Sequence, residues 1–413
     1  MRTNGRPSPP LAVDTSTAIL VLRRDVARFQ RCALAVIRSA GRLGIPVFSV
    51  RHSAREPATR SRYAAGSLAL SPAAPEGEWV DALIEMRPQL GRAILLPIDD
   101  LAAVVVNDHQ DRLAKHYAMP LAPPGIQRRL ASKRELWRVC RELHVPTPRS
   151  TFPVDETQLL EQAAEHGYPV VVKRTEPWLP PRDRAAPSVC IAHTPEQLLA
   201  AYARMESDVA PQVMLQEHIP GGSEAVWTFN GCAGDGGECL CAFTGRRLRQ
   251  QGPRTGQTTL GICAANETVD ALARRLLREL DYRGIVDIGF HFDRRDGLYK
   301  LFDVNPRLGS SFRMFASSNG IDVVRALHLD LTGRPVPDSG IIDGRKWIDE
   351  PGDLAASIKL TRERALGLRS WASSLKGLDE AAWWARDDPV PFFSMSFQAL
   401  PRAVRVLADT RRR

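Results

Sequence analysis

No apolar run in this chain of 413 residues approaches the roughly 20 residues that a membrane helix needs, so no spanning helix is expected. The segment 1–17 is mostly polar and carries Pro7, Pro9 and Pro10, and the apolar stretch Ala18 to Leu22 that follows is too short for a signal-peptide core. Residues 1–17 are therefore expected to be a disordered tail on a cytoplasmic protein. Cys32, Cys140, Cys190, Cys232, Cys239, Cys241 and Cys263 are odd in number and scattered, with no C-x-x-C pair. That excludes a disulfide scaffold or a cysteine zinc site and leaves them as small buried apolar groups. The net charge of +9 is spread along the chain among interleaved acids, with no basic stripe set among stacking aromatics. A nucleic-acid partner is not expected, and Arg411, Arg412 and Arg413 read as a solvated tail. Lysine is scarce: of 56 basic residues only Lys115, Lys133, Lys173, Lys300, Lys346, Lys359 and Lys376 are lysines. A compact ammonium is a different tool from a planar guanidinium, and it fits beside phosphate as a point charge.

What is present is ordinary globular composition, 44% hydrophobic and 25% charged, long enough for two or three domains. Ala18 to Leu22 reads as a buried strand, Asp25 to Leu43 as a helix closed by Gly44, and Ile45 to Val50 as a second strand. This β-α-β unit predicts a parallel sheet, to which Ala93 to Ile98 adds a strand ending at Asp99 and Asp100. The G-x-G-x-x-G loop is missing after the first strand, so residues 18–125 are expected to be a supporting α/β domain and not a dinucleotide site. Pro120, Pro123, Pro124 and Gly125 mark its end.

Residues 126–335 carry the chemistry-bearing patterns. Ser132 to Leu143 is a helix with Lys133 at its start, and Val170 to Lys173 is a short strand closed by Lys173. Val213 to Glu217 is a strand that runs into the turn His218-Ile219-Pro220-Gly221-Gly222. Such a turn presents consecutive backbone N–H and C=O groups to an adenine edge, and Glu224 can accept from ribose hydroxyls. Phe243 to Gly261, with Gly245, Gly252, Gly256 and Gly261 among Arg246, Arg247, Arg249 and Arg254, reads as a flexible cationic loop able to close over phosphates. Ile285 to Phe292 alternates, with Val286, Ile288, Phe290 and Phe292 on one face and Asp287, Gly289 and His291 on the other. Asp293 to Gly297 turns the chain into a return strand ending Asp303-Val304-Asn305. Asp303 and Asn305 share a strand face and offer hard oxygen ligands suited to Mg2+. Either Asp287 or Gly289 faces Asp303, and Arg307 follows close by for a phosphate or carboxylate. Residues 336–413, with Trp347, Trp371, Trp383 and Trp384 and a helical pattern from Ala355 to Leu366, are expected to be a mostly helical extension.

The ordered set Lys133, Lys173, Gln216-Glu217-His218-Ile219-Pro220-Gly221, Glu224 and Asp303-Val304-Asn305-Pro306-Arg307 resembles the ATP-grasp superfamily. More narrowly, it resembles the carboxylate–amine ligase branch that includes D-aspartate ligase and D-alanine–D-alanine ligase. The resemblance implies an ATP-grasp fold behind a Rossmann-like pre-ATP-grasp α/β domain. It implies ATP and Mg2+ (or Mn2+) as cofactors, small-molecule carboxylate and amine substrates, no nucleic-acid or membrane partner, and homodimer assembly as an open expectation. By position it implies that Lys133 and Lys173 hold nucleotide phosphates, that Gln216, Glu217 and Ile219 form the adenine hinge, and that Glu224 meets the ribose. It implies Asp303 and Asn305 as magnesium ligands, Arg247 and Arg307 beside the reacting phosphoryl group, and Arg313 as a substrate-carboxylate clamp. The chain departs from the pattern twice. Glycine stands at 289 where an acid or Gln usually supplies the first metal ligand, for which Asp287 is the candidate substitute. The segment Arg174 to Ser188, after Lys173, has no glycine and carries Pro177, Pro180, Pro181 and Pro187. Either a stiffer loop covers the nucleotide or Arg182 and Arg184 take over phosphate contacts.

The activity implied is amide formation through an acyl phosphate, with release of ADP and phosphate. The alternatives are an ATP-grasp enzyme that carboxylates or phosphorylates, and a degenerate ATP-binding module, which Gly289 makes credible.

Overall fold

The computed structural model describes residues 11–26, 29–53, 55–251, 256–338 and 340–399. Pro7, Pro9 and Pro10, Gly252 and Arg254 of the basic segment, and Arg411 to Arg413 lie outside the described residues.

Three sheets organise the chain. The first contains β1 (Ala18–Leu22), β2 (Val47–Arg51), β3 (Gly66–Ala69) and β4 (Ala93–Pro97) in the order β3-β2-β1-β4, all parallel. Every residue of β1 is buried, as expected of a central strand covered on both faces. The second contains β5 (Ser150–Thr151), β6 (Val170–Arg174), β7 (Val189–Ala192) and β8 (Val213–Glu217), antiparallel in the order β5-β8-β6-β7. The third contains β9 (Val226–Ala233), β10 (Cys239–Gln250), β11 (Thr258–Cys263), β12 (Gly284–Asp293), β13 (Leu298–Asn305), β14 (Lys346–Ile348) and β15 (Leu378–Ala381), in the order β13-β12-β9-β10-β11-β14-β15.

Four expectations change. The helix expected from Asp25 begins at Arg31, and the Asp25 carboxylate instead accepts from Arg23 Nε (3.2 Å) and Gln30 Nε2 (2.7 Å). The tail ends earlier than residue 17: Thr17 is buried, its hydroxyl donates to Asp14 (2.7 Å), and its carbonyl lies 3.1 Å from His328 Nε2. The cationic loop is mostly β10 paired with β11, so Arg246, Arg247 and Arg249 sit on a strand. Arg249 is buried in a bidentate pair with Asp353 (2.7 and 3.0 Å) and cannot reach a phosphate. Finally, the extension is not all helix: beside the helices Glu350–Arg362 and Leu368–Ser374 it adds β14 and β15 to the third sheet.

Candidate active site

Each candidate is delivered by an element whose local sequence explains it. Ser132 caps the helix Lys133–Glu142 by accepting from Glu135 N–H (3.2 Å), which places Lys133 at the first turn. Lys133 N–H donates to the Thr175 carbonyl (2.8 Å), tying that turn to the end of β6. Along β6, Val170 and Val172 go into a core and Lys173 falls on the other face, by strand alternation. On β12, Val286, Ile288 and Phe290 are fully buried while Asp287 and His291 turn to the opposite side.

These faces converge on one cavity of about 480 Å3 between the second and third sheets. Lys133, Lys173, Gln216, Glu217, Ile219, Arg247, Asp287, Asp303, Asn305 and Arg307 all line it. Lys133 Nζ meets Asp303 Oδ1, and Lys173 Nζ donates to the Phe302 carbonyl (3.3 Å). Asn305 Nδ2 donates to Asp303 Oδ2 (3.3 Å), and Arg307 Nη2 donates to Asn305 Oδ1 (2.9 Å). Arg307 Nε also pairs with Asp100 (3.0 Å), at the start of the helix Asp100–Asp108 that follows β4.

The register decides which β12 residue faces which ligand. Asp287 stands opposite Asn305, and Gly289 stands opposite Asp303. Burial works to raise the Asp303 carboxyl, but Lys133, Lys173 and Arg307 outweigh it and hold the pKa at about 2. Burial dominates at Asp287 and pushes it up to about 6 despite Arg307 and Arg247. Burial likewise brings Lys173 down to about 8, partly countered by Asp303. Arg247 is lowered by burial as well; its Nη1 donates to Gln250 Oε1 (3.2 Å) and the Gly256 carbonyl (2.8 Å), while Nε has no partner among the described residues.

Asp287, Asp303 and Asn305 offer two carboxylates and an amide oxygen, a donor set that fits a hard divalent cation drawing its other ligands from phosphate and water. Among the described residues there is no group of three or more His, Cys, Asp or Glu that could hold a metal.

Two candidates are not brought to the cavity wall. Glu224 is exposed and folds back so that Oε1 accepts from Gly222 N–H (3.3 Å). Arg313 is buried elsewhere, with Nη1 on Asp322 (2.6 Å) and Nη2 on Glu380 (3.1 Å). Its guanidinium joins the extension to the body, away from the cavity where a substrate clamp was expected. Arg182 pairs with Asp208 (2.7 Å) and, like Arg184, does not line the cavity. Glu217 lines the cavity with its side chain committed: burial raises its carboxyl, but Arg149 N–H, Arg295 and Lys300 outweigh that and lower it. What the turn offers a ligand is therefore its backbone. Asp100, His291 and Phe302 also line the cavity and were not foreseen. For Asp100 the available signal was its place at the carboxyl end of a parallel strand, where open α/β sheets bind ligands.

Known proteins resemble the chain in sequence and fold. D-aspartate ligase of Enterococcus faecium (strain Aus0004) is 23% identical over 240 residues, 56% of this chain and 57% of that enzyme. The chain thus spans little more than half of that relative's length. Among solved structures, the biotin carboxylase domain dimer of Hydrogenobacter thermophilus 2-oxoglutarate carboxylase superposes with TM-score 0.58 at 17% identity, covering 81% of this chain and 74% of that one. That structure holds MgADP, ADP and bicarbonate. The L-amino acid ligase of Bacillus licheniformis superposes with TM-score 0.58 at 15% identity, covering 78% and 75%. The chain has the ATP-grasp fold and is similar in sequence to an ATP-grasp ligase. No family model matches the chain. The ATP-grasp fold accounts for the antiparallel second sheet, the largely antiparallel third sheet with a cleft between the two, and the parallel sheet that precedes them. Among the described residues no helix is long and apolar enough to cross a membrane.

Proposed function

We propose that this ATP-grasp protein is an ATP-dependent carboxylate–amine ligase that forms an amide through an acyl phosphate. The observation that carries the reading is the gathering of Lys133, Lys173, Arg247 and Arg307 with Asp303 and Asn305 around one cavity. A carboxylate attacking a triphosphate brings two anions together, and fixed cations aimed at that point offset the repulsion. The likeness to D-aspartate ligase and to an L-amino acid ligase supports amide formation.

In this reading Lys133 and Lys173 hold the phosphates, and the backbone from Glu217 to Ile219 reads adenine. Glu224 meets the ribose after leaving Gly222. Asp287, Asp303 and Asn305 hold a magnesium ion, which when bound neutralises phosphate charge. Arg247 and Arg307 flank the phosphoryl group in transfer. A carboxylate oxygen of the acid bonds to the γ-phosphorus as the bond to ADP breaks. The amine nitrogen then bonds to the acyl carbon, phosphate leaves, and the amine's proton is lost. Gln257 in the β10–β11 connection and Thr258 at the start of β11 line the cavity and help exclude water from the intermediate.

The test is ADP release over paired acids and amines with Mg2+, followed by mass spectrometry of the product. A new amide, formed one for one with ADP, is expected. Asp303→Asn is expected to lower turnover by roughly 100-fold or more, as loss of one preorganised charge does. Undiminished turnover in that variant rejects the metal assignment. ADP accompanied by a carboxylated product selects a carboxylating enzyme, which the likeness to biotin carboxylase favours, and ADP with a phosphorylated product selects a phosphorylating one. No Mg2+-dependent ADP release with any pair leaves a degenerate binding module.

A further inference from the structure

The cleft ends of β12 and β13 present two cross-strand pairs on one face, Asp287 with Asn305 and Gly289 with Asp303. The first pair supplies two oxygen ligands, the second only one. A register shift between Gly289 and Phe290 makes Phe302 the extra residue of a β-bulge, so it lines the cavity beside Asp303 instead of facing the core. Its ring lies over the glycine. A Cβ at 289 would stand 2.8, 3.2 and 3.3 Å from Phe302 Cζ, Cε1 and Cε2. Lys173 Nζ is 5.1 Å from the centroid of the same ring and donates to the Phe302 carbonyl (3.3 Å).

We propose that the Phe302 ring and the Lys173 ammonium together fill the place beside Gly289, so that the site accepts one divalent cation per nucleotide and excludes a second. The inference rests on the nucleotide-binding reading above. Its argument is one of ligand count. A hard dication needs several oxygens at short range, and ring carbons supply none. The three oxygen-bearing side chains on this face serve one ion, and Lys133 already engages Asp303 Oδ1. A second dication would also sit against the fixed charge of Lys173. At this spot the chain presents an aromatic ring and an ammonium in place of a further ligand and its metal.

Manganese is the probe, with β,γ-methylene-ATP as the nucleotide. The full chain is equilibrated with both, separated from excess, and assayed for metal and nucleotide per chain, and the electron paramagnetic resonance spectrum is recorded. One manganese per nucleotide and the spectrum of an isolated ion are expected. Two per nucleotide, or the spectrum of an exchange-coupled pair, overturns the inference and leaves the nucleotide reading standing. Retention of neither metal nor nucleotide overturns both. In the double variant Gly289→Glu, Phe302→Ala, which clears the ring and adds a carboxylate, the count is expected to rise to two. If it retains nucleotide and stays at one, the ring is not what excludes the second ion.

Discussion

Lys173 shows how one side chain sets a pH limit. Burial brings its ammonium down to about 8, with Asp303 opposing and Lys133 assisting. Deprotonation above that value removes a positive charge from the cavity, so on the proposed reading ADP affinity should fall as pH rises through about 8, by at most about tenfold per pH unit. The stability effect has the opposite sign. The folded-state value lies below the unfolded value, so this residue's contribution is present above the unfolded pKa and lost as pH falls through about 8. Calorimetric ADP titrations between roughly pH 7 and 10 test the binding limb. Lys173→Arg, whose guanidinium stays charged, should flatten it; parallel curves for the two proteins would remove Lys173 as the cause. Lysine scarcity had already singled this residue out, because a charge this costly to bury needs a reason to be there. Asp100, Phe302 and His291 gave no comparable signal: an acid, a phenyl ring and an imidazole stand in many strands and loops for ordinary reasons.

At the scale of elements, the β12–β13 hairpin is bolted to the end of β8. Lys300 Nζ pairs with Asp293 (2.7 Å), Asp296 (2.9 Å) and Glu217 (3.3 Å), and Arg295 joins Asp293 to Glu217. Asp293 is fully buried, and Arg295 first and Lys300 after it hold its carboxyl far below the usual range against the effect of burial. The clamp fixes the turn that follows Glu217, so Lys300→Met should weaken ADP binding several-fold and cost roughly 1–3 kcal/mol of stability. Calorimetry and denaturant titration read the two effects, and unchanged ADP affinity would make the clamp irrelevant to the site. The hairpin itself was legible, since its period-2 pattern and its Asp293 to Gly297 turn are local. Its register was not. The bulge at Phe302 left a trace, because Leu301 and Val304 are both buried although three residues apart, which breaks strict alternation. Which β12 residue then meets Asp303 depends on how the paired strands settle, and only that pairing shows Gly289 beneath a ring. The basic segment went the other way, because four glycines outweighed a strand pattern that Thr258 to Cys263 completes only by pairing.

Across the whole molecule, the extension returns to the first domain. Arg38, on the helix Arg31–Gly41, is buried and donates to Asp388 Oδ2 (3.0 Å) and to the carbonyls of Trp383 (2.8 Å) and Asp388 (2.7 Å). Ser61 and the Arg62 N–H also serve Asp388, so Arg38→Met should cost about 3 kcal/mol, near the low end for a broken buried pair. A shifted denaturation midpoint checks this, and a change under about 0.5 kcal/mol, the size of an ordinary surface substitution, would show the strap to be slack. Glu380 adds a second tie by accepting from Arg313 and Arg345, which is why an arginine placed by motif near the site serves the frame instead. The sequence by itself determined the parallel first sheet, the order of the two cavity-lining lysines and the oxygen-bearing side chains at the tip of β13, because alternation, capping and turn chemistry act over a few residues. The tertiary structure decided the partners: Gly289 with Phe302, Glu217 with Lys300, Arg313 with Glu380. Those contacts join positions far apart in the chain, and charge complementarity chooses among many arginines and acids only once packing has brought particular ones together.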